Sequence, residues 1–247
     1  MRVAALFDIH GNLPALDAVL EDVRRAGVDE VVVGGDVLPG PMPLEVLSRL
    51  AGLTERVRFI KGNGDRVVLT AKSGGDISEV PPAYRDIIQW CADVLSDDAA
   101  AKIAAWPATL RVRVAGFGEV MFCHATPRND TEIFTRHTSV DRLLPVFKGL
   151  DDLAVCGHTH MQFDRKVGST RVVNAGSVGM PFGEPGAYWL LLGPAVELRR
   201  TAYDLDRAAE RIRATKYPRA EEFAARSVLR PPTEDEMLAA YSRVELR

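Results

Sequence analysis

Residues 2–12 read RVAALFDIHGN, a short apolar run that ends in a polar, glycine-containing turn. The run from Val3 to Phe7 is typical of a strand that is buried on both faces of a sheet. Asp8 and His10 follow two positions apart, so their side chains leave an extended backbone on the same side. A carboxylate and an imidazole presented together are suitable ligands for a divalent metal ion. The stretch therefore predicts a metal site at the carboxyl edge of a first strand, where open α/β sheets bind ligands.

Two further predicted strands end in polar residues at nearly equal spacing. A second apolar run ends in Gly35-Asp36 and a third ends in Gly62-Asn63. The intervals are 28 residues from Asp8 to Asp36 and 27 residues from Asp36 to Asn63. Apolar residues at helical spacing lie between the runs, which predicts βαβ crossovers and therefore parallel strands. Because parallel strands share an end, we expect these three polar side chains to meet at one sheet edge.

A second set of strands is predicted in the later part of the chain. Residues 110–114 alternate between apolar and basic side chains, and a glycine turn leads into residues 120–123. This hairpin is expected to open an antiparallel set of strands. It ends at His124, and a further strand over residues 151–156 runs into the sequence GHTH at residues 157–160.

Four of the five histidines in the chain fall at these glycine-marked strand ends. Each one alone is more often a core or surface histidine than a metal ligand. Their joint placement with two aspartates and an asparagine reverses that expectation. Carboxylates, neutral imidazoles and an amide oxygen favour Mn²⁺, Fe²⁺, Zn²⁺ or Ni²⁺ over Mg²⁺ or Ca²⁺, which prefer oxygen ligands alone. The predicted metal ligands are Asp8, His10, Asp36, Asn63, His124, His158 and His160.

The ordered pattern resembles the calcineurin-like metallophosphoesterases, in particular their small bacterial and archaeal phosphodiesterase-type members. The family's series D-x-H, G-D, G-N, H and G-H-x-H is matched in order, and the resemblance extends from residue 1 to about residue 200. The glycine turn at residues 174–179 is also similar to a turn in these members. The resemblance implies an α/β (α+β) fold, a four-layer αββα sandwich of two mixed sheets flanked by helices, with the metal site at the strand ends.

The resemblance also implies a role for each predicted ligand. One ion would be held by Asp8, His10 and His160. The other ion would be held by Asn63, His124 and His158, and Asp36 would bridge both. A hydroxide between the two ions would attack phosphorus in line, without a serine or cysteine nucleophile. Asp36, Asn63 and His124 are the catalytic residues of this interpretation. Mn²⁺ is the expected ion, with iron, zinc or nickel as alternatives.

One position departs from the family pattern. Many members carry a histidine directly after the motif asparagine, whereas this chain has Gly64. Without that histidine, either the leaving group is a weak base or another side chain substitutes. We therefore predict a phosphodiesterase, with a dinucleoside polyphosphate or other nucleotide-anhydride hydrolase as the alternative. Candidate substitutes are Arg66, Arg128 and His137, each of which is more often a plain surface or structural residue. Asn12 is a candidate for orienting Asp36 or His124, or for touching the phosphate.

Composition limits the other function classes. The net charge is −3, which gives no bulk field for nucleic acid or an anionic membrane, so a nuclease is the weaker hypothesis. A catalytically weak metal-binding scaffold with the same fold is the alternative from another class. Three scattered cysteines predict a reducing, cytoplasmic setting. No uncharged segment approaches the length of a membrane span.

A single domain is predicted over residues 1–247. It contains a helical insertion at about residues 66–107, either a lid or an ordinary helical layer, and a helical C-terminal extension at about residues 203–247. A small phosphodiester or a nucleotide is the expected substrate. Apolar residues of the insertion and the extension would serve a homo-oligomer as well as a core.

Overall fold

The computed structural model describes residues 1–150 and 152–246 of the chain. The strands, in chain order, are β1 (Val3–Leu6), β2 (Glu30–Val33), β3 (Arg56–Phe59), β4 (Thr109–Val114), β5 (Gly118–Cys123), β6 (Leu153–Cys156), β7 (Phe163–Val167), β8 (Thr170–Asn174), β9 (Ala187–Leu192) and β10 (Val196–Thr201). The α-helices are α1 (Leu13–Ala26), α2 (Pro43–Ala51), α3 (Asn63–Lys72), α4 (Arg85–Val94), α5 (Asp97–Ala104), α6 (Val140–Phe147), α7 (Leu205–Arg213), α8 (Ala220–Phe223) and α9 (Glu234–Tyr241). A 3₁₀ turn, Pro82–Tyr84, precedes α4, and a π-helical segment, Ala224–Leu229, follows α8.

Two five-stranded sheets form the centre of the fold. The first has the order β10-β9-β1-β2-β3, in which β1, β2 and β3 are parallel. The second has the order β4-β5-β6-β8-β7, in which β5, β6 and β8 are parallel. Both sheets are mixed, which confirms the predicted αββα sandwich. The expectation of an antiparallel second set is wrong at its centre, because α6 lies between β5 and β6 and provides the crossover that parallel pairing needs.

Strand β1 lies between two apolar cores. Val3, Ala5 and Phe7 pack in the core between the two sheets, whereas Ala4 and Leu6 pack against the helices on the outer face of the first sheet. Alternate side chains therefore enter different cores. This is why the run is apolar without interruption, as the sequence predicted for a strand that is covered on both faces.

The helices of the predicted insertion belong to the helical layer on the first sheet. Val68 of α3, Cys91 of α4 and Ile103 of α5 lie in the same buried cluster as α1 and α2. Helix α3 begins at Asn63, earlier than the predicted start of the insertion. The division into a domain, an insertion at residues 66–107 and an extension at residues 203–247 stays a prediction.

The remaining observations concern α9, two predicted segment ends and the possibility of a membrane span. Thr233 and Glu236 form a capping box at the start of α9. Asp151, the first residue of the predicted strand 151–156, and Arg247, the last residue of the predicted domain and extension, lie outside the described residues. None of the helices within residues 1–150 and 152–246 combines the length and apolar character that crossing a bilayer requires.

Candidate metal centre

Side chains from the carboxyl ends of the parallel strands in both sheets converge on one site. Two groups of three side chains each place one potential ligand atom apiece within 4.8 Å of one another. The first group is Asp8, His10 and His160, and the second is Asp36, His124 and His158. Asn63 joins the second group, because its Oδ1 lies 3.0 Å from His124 Nε2. The structure therefore brings together all seven residues that the sequence singled out.

Asp36 lies between the two groups. Its Oδ2 is 3.5 Å from Nε2 of His124 and 3.8 Å from Nε2 of His10. Its Oδ1 accepts the backbone N–H of Gly64 at 2.7 Å, close to the start of α3. One carboxylate oxygen is thus fixed by the main chain, and the other faces both groups. This is the placement that a bridging carboxylate requires.

Each of the four imidazoles has one ring nitrogen within hydrogen-bonding distance of a main-chain carbonyl. That nitrogen carries the proton in a neutral ring, so the other nitrogen keeps its lone pair for the site. Such contacts fix both the tautomer and the orientation of a metal-binding histidine. The pairs are His10 Nδ1 with Pro39 O (3.2 Å), His124 Nδ1 with Gly34 O (3.0 Å), His160 Nδ1 with Met180 O (2.6 Å) and His158 Nε2 with Thr131 O (3.2 Å).

Several polar atoms in the site face other acceptors rather than donors. Nε2 of His10 lies 3.3 Å from Nε2 of His160. Oδ1 of Asp8 is buried without a hydrogen-bond partner, 3.4 Å from His160 Nε2. Burying unsatisfied acceptors is costly, and a cation at their centre removes the cost. The residues present therefore fit divalent metal ions.

The backbone is strained at most of these positions. The φ angles are 54° at Asp8, 46° at His10, 49° at Asp36, 66° at His158 and 58° at His160. In the part of the chain that the structure describes, the other non-glycine residue with positive φ is Leu246. A left-handed conformation costs free energy in such residues, and surrounding structure must hold it. The strain is concentrated at the ends of the strands, where the side chains have to turn inward.

Glycines leave the room that this convergence needs. A Cβ atom on Gly157 would lie 2.4 Å from Oδ2 of Asp8. A Cβ atom on Gly64 would lie 2.4 Å from the carbonyl oxygen of Leu38 and 3.0 Å from Oδ1 of Asp36. The family histidine is therefore not only missing at Gly64: this backbone has no space for any side chain there.

The pKa values of the titratable groups in the site are shifted in different directions. Burial alone would raise the pKa of Asp36, but His124 and His10 hold that pKa well below its ordinary value. Burial opposes a charge on His124, yet the Asp36 and Asp8 carboxylates outweigh burial and raise the pKa of His124 to about 10. Burial and the neighbouring His124 lower the pKa of His158 to about 4. Near neutral pH, the metal-free site therefore holds a proton on His124 and none on His158.

Asp65 supports the site from behind. Its carboxylate accepts the backbone N–H groups of Leu38 (2.9 Å) and Gly62 (3.0 Å), so it caps α3 and ties the loop after β2 to the loop after β3. Burial and the nearby Asp36 raise the pKa of Asp65 to about 7.

The four candidate substrate residues lie in different places. In the described part of the chain, Asn12 forms no hydrogen bond with Asp36 or His124, and its role in orienting them or touching the phosphate stays a prediction. Its Oδ1 caps α1 by accepting the N–H of Ala15, and its Nδ2 donates to Gly179 O at 2.9 Å. The polar residue types that follow strands are also preferred helix caps, and Asn12 acts as such a cap.

Arg66 lies in the wall of the cleft that opens onto the metal centre, whereas Arg128 and His137 do not line it. Arg128 makes a forked ion pair with Glu132 (Nη2 to Oε1, 2.7 Å). His137 is exposed, and its backbone N–H donates to the hydroxyl of Thr135. Of the three proposed substitutes for the missing histidine, the geometry therefore retains Arg66 alone.

The sequence did not identify the groups that orient the histidines. Main-chain carbonyls carry no residue-specific signal, so Pro39, Thr131 and Met180 could not be singled out by type. Phe182, which stacks on His160 with ring centroids 5.1 Å apart, was also missed. The one available signal was the glycine turn at residues 174–179, which directly precedes Met180.

Comparisons with known proteins show which family and fold this chain resembles. A family model described as the calcineurin-like phosphoesterase superfamily domain matches residues 1–192. The uncharacterized protein MJ0912 of Methanocaldococcus jannaschii is 27% identical over 241 residues, which cover 87% of this chain and 93% of that protein. Phosphodiesterase YfcE of Escherichia coli K12 is 35% identical over 77 residues, which cover 28% of this chain and 42% of that protein. The crystal structure of the hypothetical protein PH1004 from Pyrococcus horikoshii OT3 matches with a TM-score of 0.80 at 21% identity, over 94% of this chain and 99% of that one, which shows a common fold.

Proposed function

Because this chain belongs to the calcineurin-like phosphoesterase superfamily, a family of metal-dependent hydrolases of phosphoric esters, we propose that it is a phosphodiesterase that works with two divalent metal ions. The single observation that carries the proposal is the pair of ligand groups with Asp36 between them. Two separate groups of lone pairs, joined by one carboxylate, match the needs of two ions better than those of one ion.

We assign the ligands as the two groups divide them. Asp8, His10 and His160 hold one ion, Asn63, His124 and His158 hold the other, and Asp36 contributes to both. The mixed oxygen and nitrogen set favours Mn²⁺, with iron, zinc and nickel as alternatives. When bound, such a pair of ions neutralises charge on the phosphoryl oxygens and makes a water molecule acidic enough to attack phosphorus near neutral pH.

The chain's own residues hold this arrangement in place. The carbonyl contacts keep each imidazole in one tautomer, and the N–H of Gly64 fixes Asp36. Asn63 is the first residue of α3, so the positive end of the helix faces the site and favours bound anions. Arg66, one turn further on, adds a guanidinium to the wall of the cleft.

A diester is the proposed substrate class for two reasons. The crowded position of Gly64 leaves no histidine to protonate a poor leaving group, which disfavours alkyl monoesters. The relative YfcE, which matches part of the chain, is named a phosphodiesterase. A small organic phosphodiester satisfies both arguments.

The test combines metal analysis with hydrolysis. We expect the protein purified with Mn²⁺ to retain about two ions per chain and to hydrolyse bis(p-nitrophenyl) phosphate. Asp36→Ala is expected to lose both properties, while Asp93→Ala, which removes an exposed aspartate at the end of α4, keeps both. Bound metal without hydrolysis of any phosphoric ester would support the scaffold hypothesis, and absence of bound metal would reject the site itself.

A further inference from the structure

A row of apolar side chains continues from the metal centre into a neighbouring pocket. We infer that this row, named here the aryl pocket and formed by Tyr84, Ile87, Met180, Tyr217 and Phe223, binds a planar aromatic group of the substrate. The inference rests on the proposed function, because the phosphoryl group must lie at the metal centre for the aromatic group to lie here.

Continuity with the metal centre is the first argument. The cleft has a volume of about 510 Å³ and is lined at one end by His10, Asp36 and Asn63. The adjoining pocket has a volume of about 330 Å³, and all five residues of the aryl pocket line both spaces. Volumes of this size are typical of sites for small organic ligands. A substrate bound at the metal ions therefore has one apolar direction in which its organic group can extend.

The aryl pocket is also preformed. Tyr217 and Phe223 are 6% and 5% exposed and meet edge to face, with ring centroids 6.1 Å apart. Trp90 supports Tyr217 from behind at 5.4 Å, again edge to face. Tyr84 is held from the other side, because the guanidinium of Arg219 lies 5.5 Å from its ring centre. Fixed aromatic walls favour a flat ring, which gains edge and face contacts beyond those of an aliphatic group.

The charged side chains around the cleft disfavour a polyphosphate there. Arg66 is the one arginine or lysine among the described residues that line the cleft, so it can serve at most one phosphoryl group, and it also has two carboxylate partners. Its Nε and Nη2 donate to Asp130 at 2.7 and 3.2 Å, and its Nη1 donates to Glu79 at 3.1 Å. A chain of phosphates leaving the metal centre would pass apolar side chains and the carboxylate of Glu79. An uncharged aromatic group meets no such penalty.

Of the two arginines that line the adjoining pocket, Arg219 is engaged in ion pairs and Arg226 is exposed. Arg219 is paired with Asp86 (3.3 Å) and Glu222 (3.0 Å). Arg226 lies exposed near Glu236, whose pKa is lowered by hydrogen bonds from Thr233 and, less strongly, by the Arg226 charge. The adjoining pocket therefore favours an aromatic group over a group that carries several negative charges.

The aryl pocket is distinct from the shared metal motif. Tyr84 and Ile87 come from the segment between α3 and α5, and Tyr217 and Phe223 lie beyond residue 192, outside the region that the family model matches. Two segments of the chain that carry no metal-ligating residues thus meet beside the metal centre. Such a position is suited to selecting the organic group of the substrate.

The experiment compares phenylphosphonate with methylphosphonate as competitive inhibitors of the Mn²⁺-loaded protein, with methyl p-nitrophenyl phosphate as the substrate. Each inhibitor has a single organic group, so the comparison does not depend on which ester bond breaks. We expect phenylphosphonate to bind about tenfold more tightly, because a buried ring removes apolar surface from water. Phenylphosphonate, but not methylphosphonate, is expected to change the tryptophan fluorescence, and Trp90→Phe is expected to abolish that change.

Two variants test whether the aromatic group binds in the aryl pocket. Tyr84→Ala, at a 48% exposed residue, and Ile87→Trp, which fills the space, are each expected to reduce the preference for phenylphosphonate at least threefold and to leave methylphosphonate binding unchanged. The matched control is Leu44→Ala, which removes an apolar side chain that is 44% exposed on α2 and keeps the full preference. Equal inhibition by the two phosphonates, or a preference that persists in both variants, would overturn the aryl pocket. Failure of the wild-type protein to hydrolyse methyl p-nitrophenyl phosphate would instead count against the proposed function, and the fluorescence titration would still test the pocket.

Discussion

Nε2 of His10 and Nε2 of His160 lie 3.3 Å apart, although 150 positions separate the two residues in the chain. Nδ1 of each ring faces a main-chain carbonyl, of Pro39 and of Met180 respectively, so each Nε2 presents a lone pair to the other. Two lone pairs at this distance repel each other unless a proton or a cation lies between them. A cation bound between the two rings would accept both lone pairs.

The first prediction concerns metal removal. Treatment with a chelator is expected to lower the melting temperature, and Mn²⁺ at one hundred times its dissociation constant is expected to restore about 2.7 kcal/mol of stability for each site. Differential scanning fluorimetry across a Mn²⁺ titration measures the shift. His10→Ala is expected to weaken the response, whereas His137→Ala, which removes an exposed histidine away from the cleft, keeps it. A melting temperature that does not depend on Mn²⁺ would contradict the prediction.

The second prediction concerns pH. Carboxylates raise the pKa of His124 to about 10 against the effect of burial, so the metal-free site holds this proton at neutral pH. Metal binding requires a neutral imidazole and therefore releases the proton. The affinity for Mn²⁺ is expected to rise with pH, by up to about tenfold per pH unit, between pH 7 and pH 9. His158, whose pKa burial lowers to about 4, is already neutral in this range and adds no further proton.

Isothermal titration calorimetry in buffers of different ionisation enthalpy counts the protons. At least one proton released per chain at pH 7.5 is the expected result. The control is His137→Ala, which leaves the count unchanged. Binding that releases no proton at this pH would show that His124 is neutral before the metal arrives.

The third prediction concerns the position of the missing histidine. Gly64→His restores the family residue in sequence but is expected to destabilise the protein by about 1–3 kcal/mol, as overpacking of a filled site does. The reason is the carbonyl oxygen of Leu38, which would lie 2.4 Å from the new Cβ atom. Chemical denaturation measures the free energy of unfolding. Gly52→His is the matched control, since a Cβ there has its nearest contact at 3.4 Å and is tolerated. Unchanged stability together with higher activity on monoesters would refute the steric argument.

The sequence was sufficient to predict that the ligands converge. Asp8, Asp36 and Asn63 recur at one βαβ period, and parallel strands must end at a common edge, so spacing alone implied their meeting. Two features could not be predicted in this way. The left-handed backbone at His158 depends on contacts from other loops, and the cap formed by Asn12 depends on Gly179, 167 positions away.

Tertiary packing explains the other differences. An alternating strand followed by a hairpin is the usual sign of an antiparallel sheet, and only the connection through α6 makes β5 and β6 parallel. The aryl pocket is likewise invisible in the sequence, because Tyr84 and Phe223 are 139 positions apart and neither belongs to a motif. Local sequence patterns predict the helices and strands, whereas the shape of the space between them depends on tertiary packing.

The last prediction concerns Arg66. Asp130 holds two nitrogens of its guanidinium, and Glu79, on the exposed segment before α4, holds the third. The pair with Glu79 is exposed and therefore weak, so an anionic substrate can replace that carboxylate while Asp130 keeps the guanidinium in position. Arg66 would then contact a phosphoryl oxygen at the mouth of the metal centre.

Arg66→Ala is accordingly expected to raise KM for a phosphodiester about tenfold, the cost of one charge-assisted hydrogen bond, with a smaller effect on kcat. Glu79→Gln is expected to lower KM severalfold, because it frees the guanidinium without removing it. Steady-state kinetics with bis(p-nitrophenyl) phosphate and saturating Mn²⁺ measures both. Arg128→Ala removes a comparable arginine that is paired with Glu132 outside the cleft, and it should behave as the wild type. If Arg66→Ala and Arg128→Ala have the same KM, then Arg66 only joins α3 to the loop that carries Asp130, and the phosphate is held by the metal centre alone.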